Sequence, residues 1–201
     1  MKTICSFPKS LPMIIIIACL ILLSGQSCKK GPNDPAISFR SRTERLAGSW
    51  TVKYFQEVVS ASDNGLSSTT TIICNEGAYS ETTGSKVVTG SYTWWINIDK
   101  KGGYSLEKAI TRSVGEKLNY AESGSWFWSE GNKNENIKNK QMVTFHILTS
   151  SPDISMQGTP TVLYSWVLDE LKNKEIVVNC KWQKAIGTYT ETHESTMTLV
   201  Q

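Results

Sequence analysis

Histidine is nearly absent from this chain, whose 201 residues include only His146 and His193. Several enzyme motifs are missing altogether: the G-x-S-x-G nucleophile elbow, the phosphate-binding G-x-x-x-x-G-K-[ST] loop, the G-x-G-x-x-G dinucleotide loop and the cysteine–histidine spacings of zinc sites. These absences exclude the commonest routes to hydrolysis, nucleotide binding and metal catalysis. The sequence therefore predicts a protein that is not an enzyme and that has no cofactor or metal.

The chain also carries only a small excess of positive over negative charge. The formal net charge is +3, and two of the contributing lysines, Lys2 and Lys9, lie close to the N-terminus. No basic stripe follows the rest of the chain, which argues against a nucleic-acid partner. The chain has no internal repeat, so its length favours a single domain.

The N-terminus has the pattern of a secretory leader. Lys2 and Lys9 precede the apolar run Leu11–Leu23, which is shorter than the roughly 20 residues of a membrane span and typical of a signal-peptide core. Small and polar residues then lead to Cys28, after which the chain becomes polar. An exported bacterial lipoprotein begins in this way, with the cysteine as its lipid-bearing N-terminus.

We therefore predict that residues 1–27 are a lipoprotein signal peptide and that Cys28 carries the lipid, which attaches the protein to a membrane. Ser27 fits the residue before a lipidated cysteine, whereas Gly25 stands where leucine is usual. Three alternatives stay open: ordinary cleavage near this point, lipidation of Cys19, and a leader that is retained as an anchor. Cleavage at Cys19 would leave the apolar segment 20–23 on the mature protein.

Few cysteines remain in the mature chain once the predicted leader has been cleaved. Cys5 and Cys19 leave with the leader and Cys28 takes the lipid, so Cys74 and Cys180 remain. An oxidising compartment permits a disulfide between them, worth roughly 4–5 kcal/mol by chain entropy for a loop of this length. The alternative is two separate buried thiols, since free cysteine is often a small core residue.

Beyond the leader the chain is predicted to be almost entirely β. Residues 28–41 are interpreted as a lipidated tether, and residues 42–201 as one domain. Ser41 and Glu44 fit a capping box for a helical turn over Arg42–Ala47. Period-two patterns then predict about nine or ten strands, drawn from the segments Trp50–Val59, Thr69–Cys74, Ala78–Glu81, Val87–Asp99, Tyr104–Ser113, Lys117–Ser129, Met142–Leu148, Val162–Leu171, Glu175–Gln183 and Thr188–Val200. Short turns between strands favour an antiparallel sandwich or an up-and-down barrel.

The segment Leu46–Trp50, in which a short helix leads into Gly-x-Trp at the first strand, resembles the opening of the lipocalin-like fold. Together with the leader and tether, it makes the chain similar to lipocalin-like lipoproteins of Gram-negative bacteria. The resemblance implies an up-and-down barrel of about eight to ten strands that encloses a small-molecule cavity. It also implies a lipid-anchored protein of the outer membrane, facing either the periplasm or the cell surface.

The last strand holds the candidate site. Its threonines form one polar face, and the opposite face carries Tyr189, Glu191, His193 and Ser195. In an unbroken register Glu191, His193 and Ser195 point inward. Buried without partners they would cost several kcal/mol, whereas a water-filled or ligand-filled cavity would satisfy them. The alternatives are a β-bulge that turns them outward and a strand end that lies beyond the core.

Tryptophan is abundant, with seven residues, all beyond the leader. Four lie in apolar contexts and are predicted to pack in the core: Trp50, Trp94, Trp166 and Trp182. Trp95, Trp126 and Trp128 are less constrained. Such aromatics would stack on a sugar or line a barrel mouth, with Trp95 and Trp128 as the candidate ligand-binding residues, and packing in the core is the alternative.

Two functions are therefore expected from the sequence. The first is a lipid-anchored envelope protein that holds a small apolar or amphipathic ligand in a barrel cavity. The alternative is a structural or interaction lipoprotein that binds glycan or protein through its exterior. The direction of Trp95, Trp128, Glu191 and His193 distinguishes the two.

Overall fold

The computed structural model describes residues 32–35, 38–151 and 163–201. The predicted signal peptide and Cys28 lie outside these residues. The described chain forms a closed antiparallel barrel of ten strands with one short helix. The prediction of an all-β, up-and-down barrel is confirmed, and the architecture is consistent with the lipocalin-like fold.

Consecutive strands are neighbours around the barrel. Helix α1 spans Arg42–Leu46, and the strands are β1 (Gly48–Asp63), β2 (Leu66–Asn75), β3 (Ala78–Thr83), β4 (Lys86–Ile98), β5 (Gly103–Arg112), β6 (Lys117–Trp128), β7 (Met142–Ser151), β8 (Leu163–Leu171), β9 (Glu175–Ile186) and β10 (Tyr189–Val200). The described part of the chain contains no helix with the length and hydropathy of a membrane span.

Helix α1 begins with the predicted capping box. The Ser41 side chain accepts from the Glu44 backbone N–H, and the Glu44 carboxylate accepts from the Ser41 N–H at 2.9 Å. Such reciprocal bonds satisfy donors that a helix start leaves free. The helix ends at Leu46, whose carbonyl accepts from the Trp50 indole N–H at 2.8 Å. Leu46 and Trp50 are both fully buried, so the Gly-x-Trp segment fixes the helix against the barrel.

Strand β1 is shared between two neighbours on the same side. Its first residues, Gly48–Thr51, pair with β4, and its later residues, Tyr54–Asp63, pair with β2. The β2–β3 hairpin is therefore inserted into the wall where β1 and β4 separate. As a result the wall has eight strands at one end and ten at the other.

The point of separation is held by Tyr92. Its hydroxyl lies 3.0 Å from the carbonyl oxygen of Val52 and 2.9 Å from that of Lys53. The Glu76 N–H also donates to the Lys53 carbonyl at 3.0 Å, and the Tyr92 N–H donates to Gly77 at 2.9 Å. Backbone groups that lose their strand partner at the split thus regain hydrogen bonds, as buried peptide groups require.

The two ends of the barrel differ in construction. At the eight-stranded end, called the closed end, helix α1 packs beside the β4–β5, β6–β7 and β8–β9 connections. At the other end, called the mouth, lie the β1–β2, β3–β4, β5–β6 and β9–β10 turns, and β7 ends and β8 begins there as well. The apolar core fills the closed end. Its most deeply buried members are Leu46, Trp50, Ile96, Val143, Phe145, Leu168, Leu171, Ile176, Val178 and Leu199.

Part of the predicted tether is attached to the closed end. The Asn33 N–H donates to the Asp169 carbonyl at 3.1 Å, and the Leu171 N–H donates to the Asp34 carboxylate at 2.9 Å. Asp34 is buried and also pairs with Arg42.

Candidate functional site: a cavity inside the barrel

A cavity of about 360 Å³ lies inside the middle of the barrel, between the core and the mouth. Its size is within the range of small-molecule sites. Most of the lining is aromatic or aliphatic: Phe55, Trp94, Leu106, Tyr120, Tyr164, Trp166, Val178, Trp182 and Met197. The polar lining residues are Glu57, Lys108, Glu122, Cys180 and Ser195.

Strand β10 has the inward face that the sequence predicted. Its pairing with β1 is unbroken from Tyr54 to Ser62, so no bulge turns this face outward. Ser195 lines the cavity. His193 and Glu191 follow toward the mouth, where they are half-buried. Tyr189 lies beyond them, and hydrogen bonding to Glu191 raises its pKa. The structure thus brings these four residues together along one side of the interior.

His193 is fixed by contacts on three sides. Its ring lies parallel to that of Trp182, with centroids 3.5 Å apart and planes 12° apart. Its Nδ1 is 2.9 Å from Glu57 Oε1, and its Nε2 is 3.2 Å from Glu191 Oε1. The prediction that Trp182 packs in the core is wrong, because its side chain is 44% exposed beside the mouth. The imidazole instead covers one face of the indole.

Glu122 is a buried carboxylate that three tyrosines surround. Tyr104 donates to Oε1 at 3.1 Å and Tyr120 donates to Oε2 at 2.5 Å. Tyr164, on β8, donates to Oε1 as well. Desolvation by burial, with the Glu122 charge adding to it, raises the pKa of all three phenols, which keeps them protonated as donors. This network is satisfied without any ligand.

Lys108 is the cavity lysine, and its ammonium group has no carboxylate partner. Its Nζ lies 4.5 Å from the centroid of Trp94 and 5.7 Å from that of Phe55, over the ring faces. No carboxylate of the described residues approaches this nitrogen within 4.0 Å. Burial lowers the pKa of Lys108, and Cys74 and Glu57 partly oppose that shift. The cavity therefore contains one ammonium group held by aromatic rings alone.

Cys74 and Cys180 are both free thiols, so the disulfide considered for them is absent from this structure. The register explains why: β1 and β10 lie between β2, which carries Cys74, and β9, which carries Cys180. Three strand spacings of about 4.8 Å far exceed the Cα separation that a disulfide allows. Burial raises the pKa of each thiol to about 11.

The two remaining candidate aromatics lie outside the cavity. Trp128 is at the closed end, where its indole N–H donates to Thr43 at 3.0 Å and Arg42 stands 5.6 Å from its ring centroid. It therefore fixes helix α1 rather than lining the mouth. Trp95 is on the outer wall, 41% exposed, beside a shallow depression that Glu107 and Asn119 also line.

No group of three or more histidine, cysteine, aspartate or glutamate side chains suited to a metal ion occurs within the described ranges. The chain was also compared with known proteins: no family model, no curated protein and no solved structure matches it.

Proposed function

We propose that this protein is a lipid-anchored envelope protein that binds a small amphipathic anion in its barrel cavity. The observation that carries the proposal is Lys108, an ammonium without an ion pair in a cavity whose other lining residues are mostly aromatic or aliphatic. A buried charge costs free energy unless it is paired. A carboxylate on an apolar ligand would pair with Lys108 while its chain contacts Phe55, Trp166 and Met197.

The other cavity charges leave Lys108 available for that role. Glu122 accepts from three phenols, and Glu57 is engaged by His193. Neither carboxylate forms an ion pair with the Lys108 ammonium in the structure. A ligand that is apolar but uncharged would fill the cavity without matching this charge, so we favour an anionic head group over an alcohol or a hydrocarbon.

Native mass spectrometry of the envelope-purified protein tests the proposal with dodecanoate and dodecanol as probes. We expect dodecanoate to bind the wild type more tightly than dodecanol does. Lys108→Met should weaken dodecanoate binding by about tenfold or more, since hydrogen bonds to charged groups contribute roughly 1.5–3 kcal/mol. Dodecanol binding should persist, which also shows that the variant is folded.

Lys101→Met is the matched control, because Lys101 is exposed in the β4–β5 turn at the closed end. Equal losses in the two lysine variants, or tighter binding of dodecanol than of dodecanoate by the wild type, would contradict an anion site at Lys108.

The anchor is tested separately. Cys28→Ala should abolish labelling of the protein by radioactive palmitate in the bacterial host, and Cys19→Ala should leave it unchanged. Retained labelling of the Cys28→Ala protein would exclude Cys28 as the lipid acceptor.

A second candidate function is glycan binding on the exterior, which the position of Trp95 favours. Its exposed ring borders a depression of about 390 Å³ with Thr93, Glu107 and Asn119 nearby, a combination suited to stacking and hydrogen bonding with a sugar. Trp95→Ala should then abolish retention on immobilised envelope polysaccharide, while dodecanoate binding is unchanged.

A further inference from the structure

Lys108 differs in its surroundings from every other lysine of the described ranges. All the others are exposed, whereas Lys108 is half-buried and lines the barrel cavity. Its Nζ lies over the rings of Trp94 and Phe55, and no described residue forms a hydrogen bond or an ion pair with it. Packing does not seal off this nitrogen, unlike the neighbouring indole nitrogen of Trp94. A molecule inside the barrel can therefore reach the Lys108 amine.

The surroundings also favour the neutral amine more than water does. Burial lowers the pKa of Lys108, and Cys74 and Glu57 only partly oppose that lowering. Only the neutral amine has the lone pair that attacks a carbonyl carbon. A lysine that is desolvated in an apolar site is therefore a better nucleophile at neutral pH than an exposed lysine is.

The other titratable groups around the cavity do not compete with this amine. The Glu122 carboxylate accepts from phenols, and Glu57 lies 2.9 Å from Nδ1 of His193. Burial raises the pKa of both thiols to about 11, so they stay protonated and weakly nucleophilic at neutral pH. The groups considered are Glu57 on β1, Cys74 on β2, Tyr120 and Glu122 on β6, Tyr164 on β8, Cys180 on β9 and His193 on β10.

We infer that Lys108 binds an apolar aldehyde covalently as an imine, with the aldehyde chain among the aromatic and aliphatic residues of the cavity. The inference rests on the ligand cavity of the proposed function, but it uses the free amine instead of the ammonium. An ammonium without an ion pair costs free energy in this setting. A carboxylate ligand pairs with that charge, whereas a neutral imine removes it.

The reaction needs no oxidant or reductant. The Lys108 nitrogen forms a bond to the aldehyde carbon, and one amine proton moves to the carbonyl oxygen, which gives a carbinolamine. The carbon–oxygen bond then breaks, and the hydroxyl group leaves with the second amine proton as water. The product is a carbon–nitrogen double bond. Apolar walls such as Phe55, Trp166 and Met197 restrict the water that would reverse the last step.

Reductive trapping tests the inference with the purified full-length protein and dodecanal as the probe. Sodium cyanoborohydride converts an imine into a stable secondary amine, and peptide masses then locate the dodecyl group. At pH 7 we expect Lys108 to be labelled at least tenfold faster than Lys101, which is exposed in the β4–β5 turn. In urea the two lysines should be labelled at equal rates, because the cavity is lost.

Two variants provide matched controls. Lys108→Met should retain only the slow labelling of exposed lysines, and its circular dichroism spectrum should match that of the wild type. Lys101→Met should leave the labelling of Lys108 unchanged. Labelling of Lys108 no faster than that of Lys101 in the native wild type would overturn the inference.

The pH dependence supplies an independent readout. The preference for Lys108 over Lys101 should be largest near pH 7 and should shrink toward about pH 10.4, where exposed lysines lose their protons as well. A preference that grows with pH would contradict the role of desolvation. Dodecanoate binding without preferred labelling of Lys108 would overturn the imine and leave the anion site standing, whereas labelling without dodecanoate binding would contradict the proposed function alone.

Discussion

The hydroxyl of Tyr104 lies 3.1 Å from Oε1 of Glu122, although the two residues are not opposite each other in the β5–β6 ladder. Tyr104 stands opposite Gly124, and Glu122 stands opposite Leu106. The phenol therefore reaches diagonally from one cross-strand pair to the next to meet the carboxylate. Tyr120 and Tyr164 complete the set of donors, which joins β5, β6 and β8 across the interior.

This relationship predicts a large effect of Glu122→Gln. The glutamine amide has one acceptor oxygen, and its NH₂ group can donate a hydrogen bond but cannot accept one. At least one tyrosine hydroxyl therefore loses its acceptor. We expect the free energy of unfolding to fall by about 2–4 kcal/mol, measured by urea denaturation. Glu107→Gln, on the exposed face of β5, is the control and should change stability by less than about 0.5 kcal/mol. Similar effects of both substitutions would contradict the network.

The same tyrosines predict a loss of stability at alkaline pH. Their folded pKa values are raised above the ordinary value of about 10. The folded state thus keeps protons that the unfolded state releases, and the stabilisation is complete below pH 10. Above pH 10 the free energy of unfolding should decrease by up to about 1.4 kcal/mol per pH unit for each phenol. Denaturation series at several pH values measure this slope, and Tyr164→Phe should reduce it.

Lys108→Met is predicted to stabilise the protein while it weakens anion binding. Lys108 is half-buried and its ammonium has no ion pair, and its lowered pKa means that folding disfavours its charged form. Replacement by an apolar side chain of similar length should raise the free energy of unfolding by roughly 1–3 kcal/mol. The advantage over the wild type should shrink as pH rises from the lowered pKa toward about 10.4, where the unfolded lysine also loses its proton. Thermal unfolding at neutral and alkaline pH measures it, and destabilisation by Lys108→Met would contradict the assignment.

The two thiols inside the barrel are predicted to be free and unreactive. Burial raises the pKa of Cys74 and Cys180 to about 11, so few thiolates exist at pH 8. Iodoacetamide should label neither residue in the native protein and both in urea, without prior reduction, as read from the masses of their peptides. Labelling in urea that requires a reductant would show a disulfide instead.

Much of the architecture could be predicted because the alternation of apolar and polar residues along a strand is visible in short stretches of sequence. The ten strands, the capping box and the inward face of β10 all follow from neighbouring residues. The predicted ends of β1, β7 and β9 were too early, since these strands continue through segments 60–63, 149–151 and 184–186 toward the mouth. Backbone pairing in the hairpins holds these segments, and their side chains carry little apolar signal.

The cavity charges were missed for a related reason. Glu57, Lys108 and Glu122 each stand in phase with apolar or aromatic neighbours on an inward face, such as Phe55, Leu106 and Tyr120. That phase was a usable signal, because a charged residue inside an alternating apolar stripe needs a partner or a cavity. Which carboxylate has donors and which cation has none depends on pairs from distant strands, and alternation carries no information about them.

The shared strand β1 makes the wall of this barrel divisible. The eight-stranded end holds the core and the helix, whereas β2 and β3 join the rest only above the split at Tyr92. Loss of the β2–β3 hairpin, or insertion of a further hairpin at the split, would therefore change the circumference of the open half while the eight-stranded end keeps its strand pairing. In such a barrel the fold's stability and the size of its opening can be selected independently, through different residues.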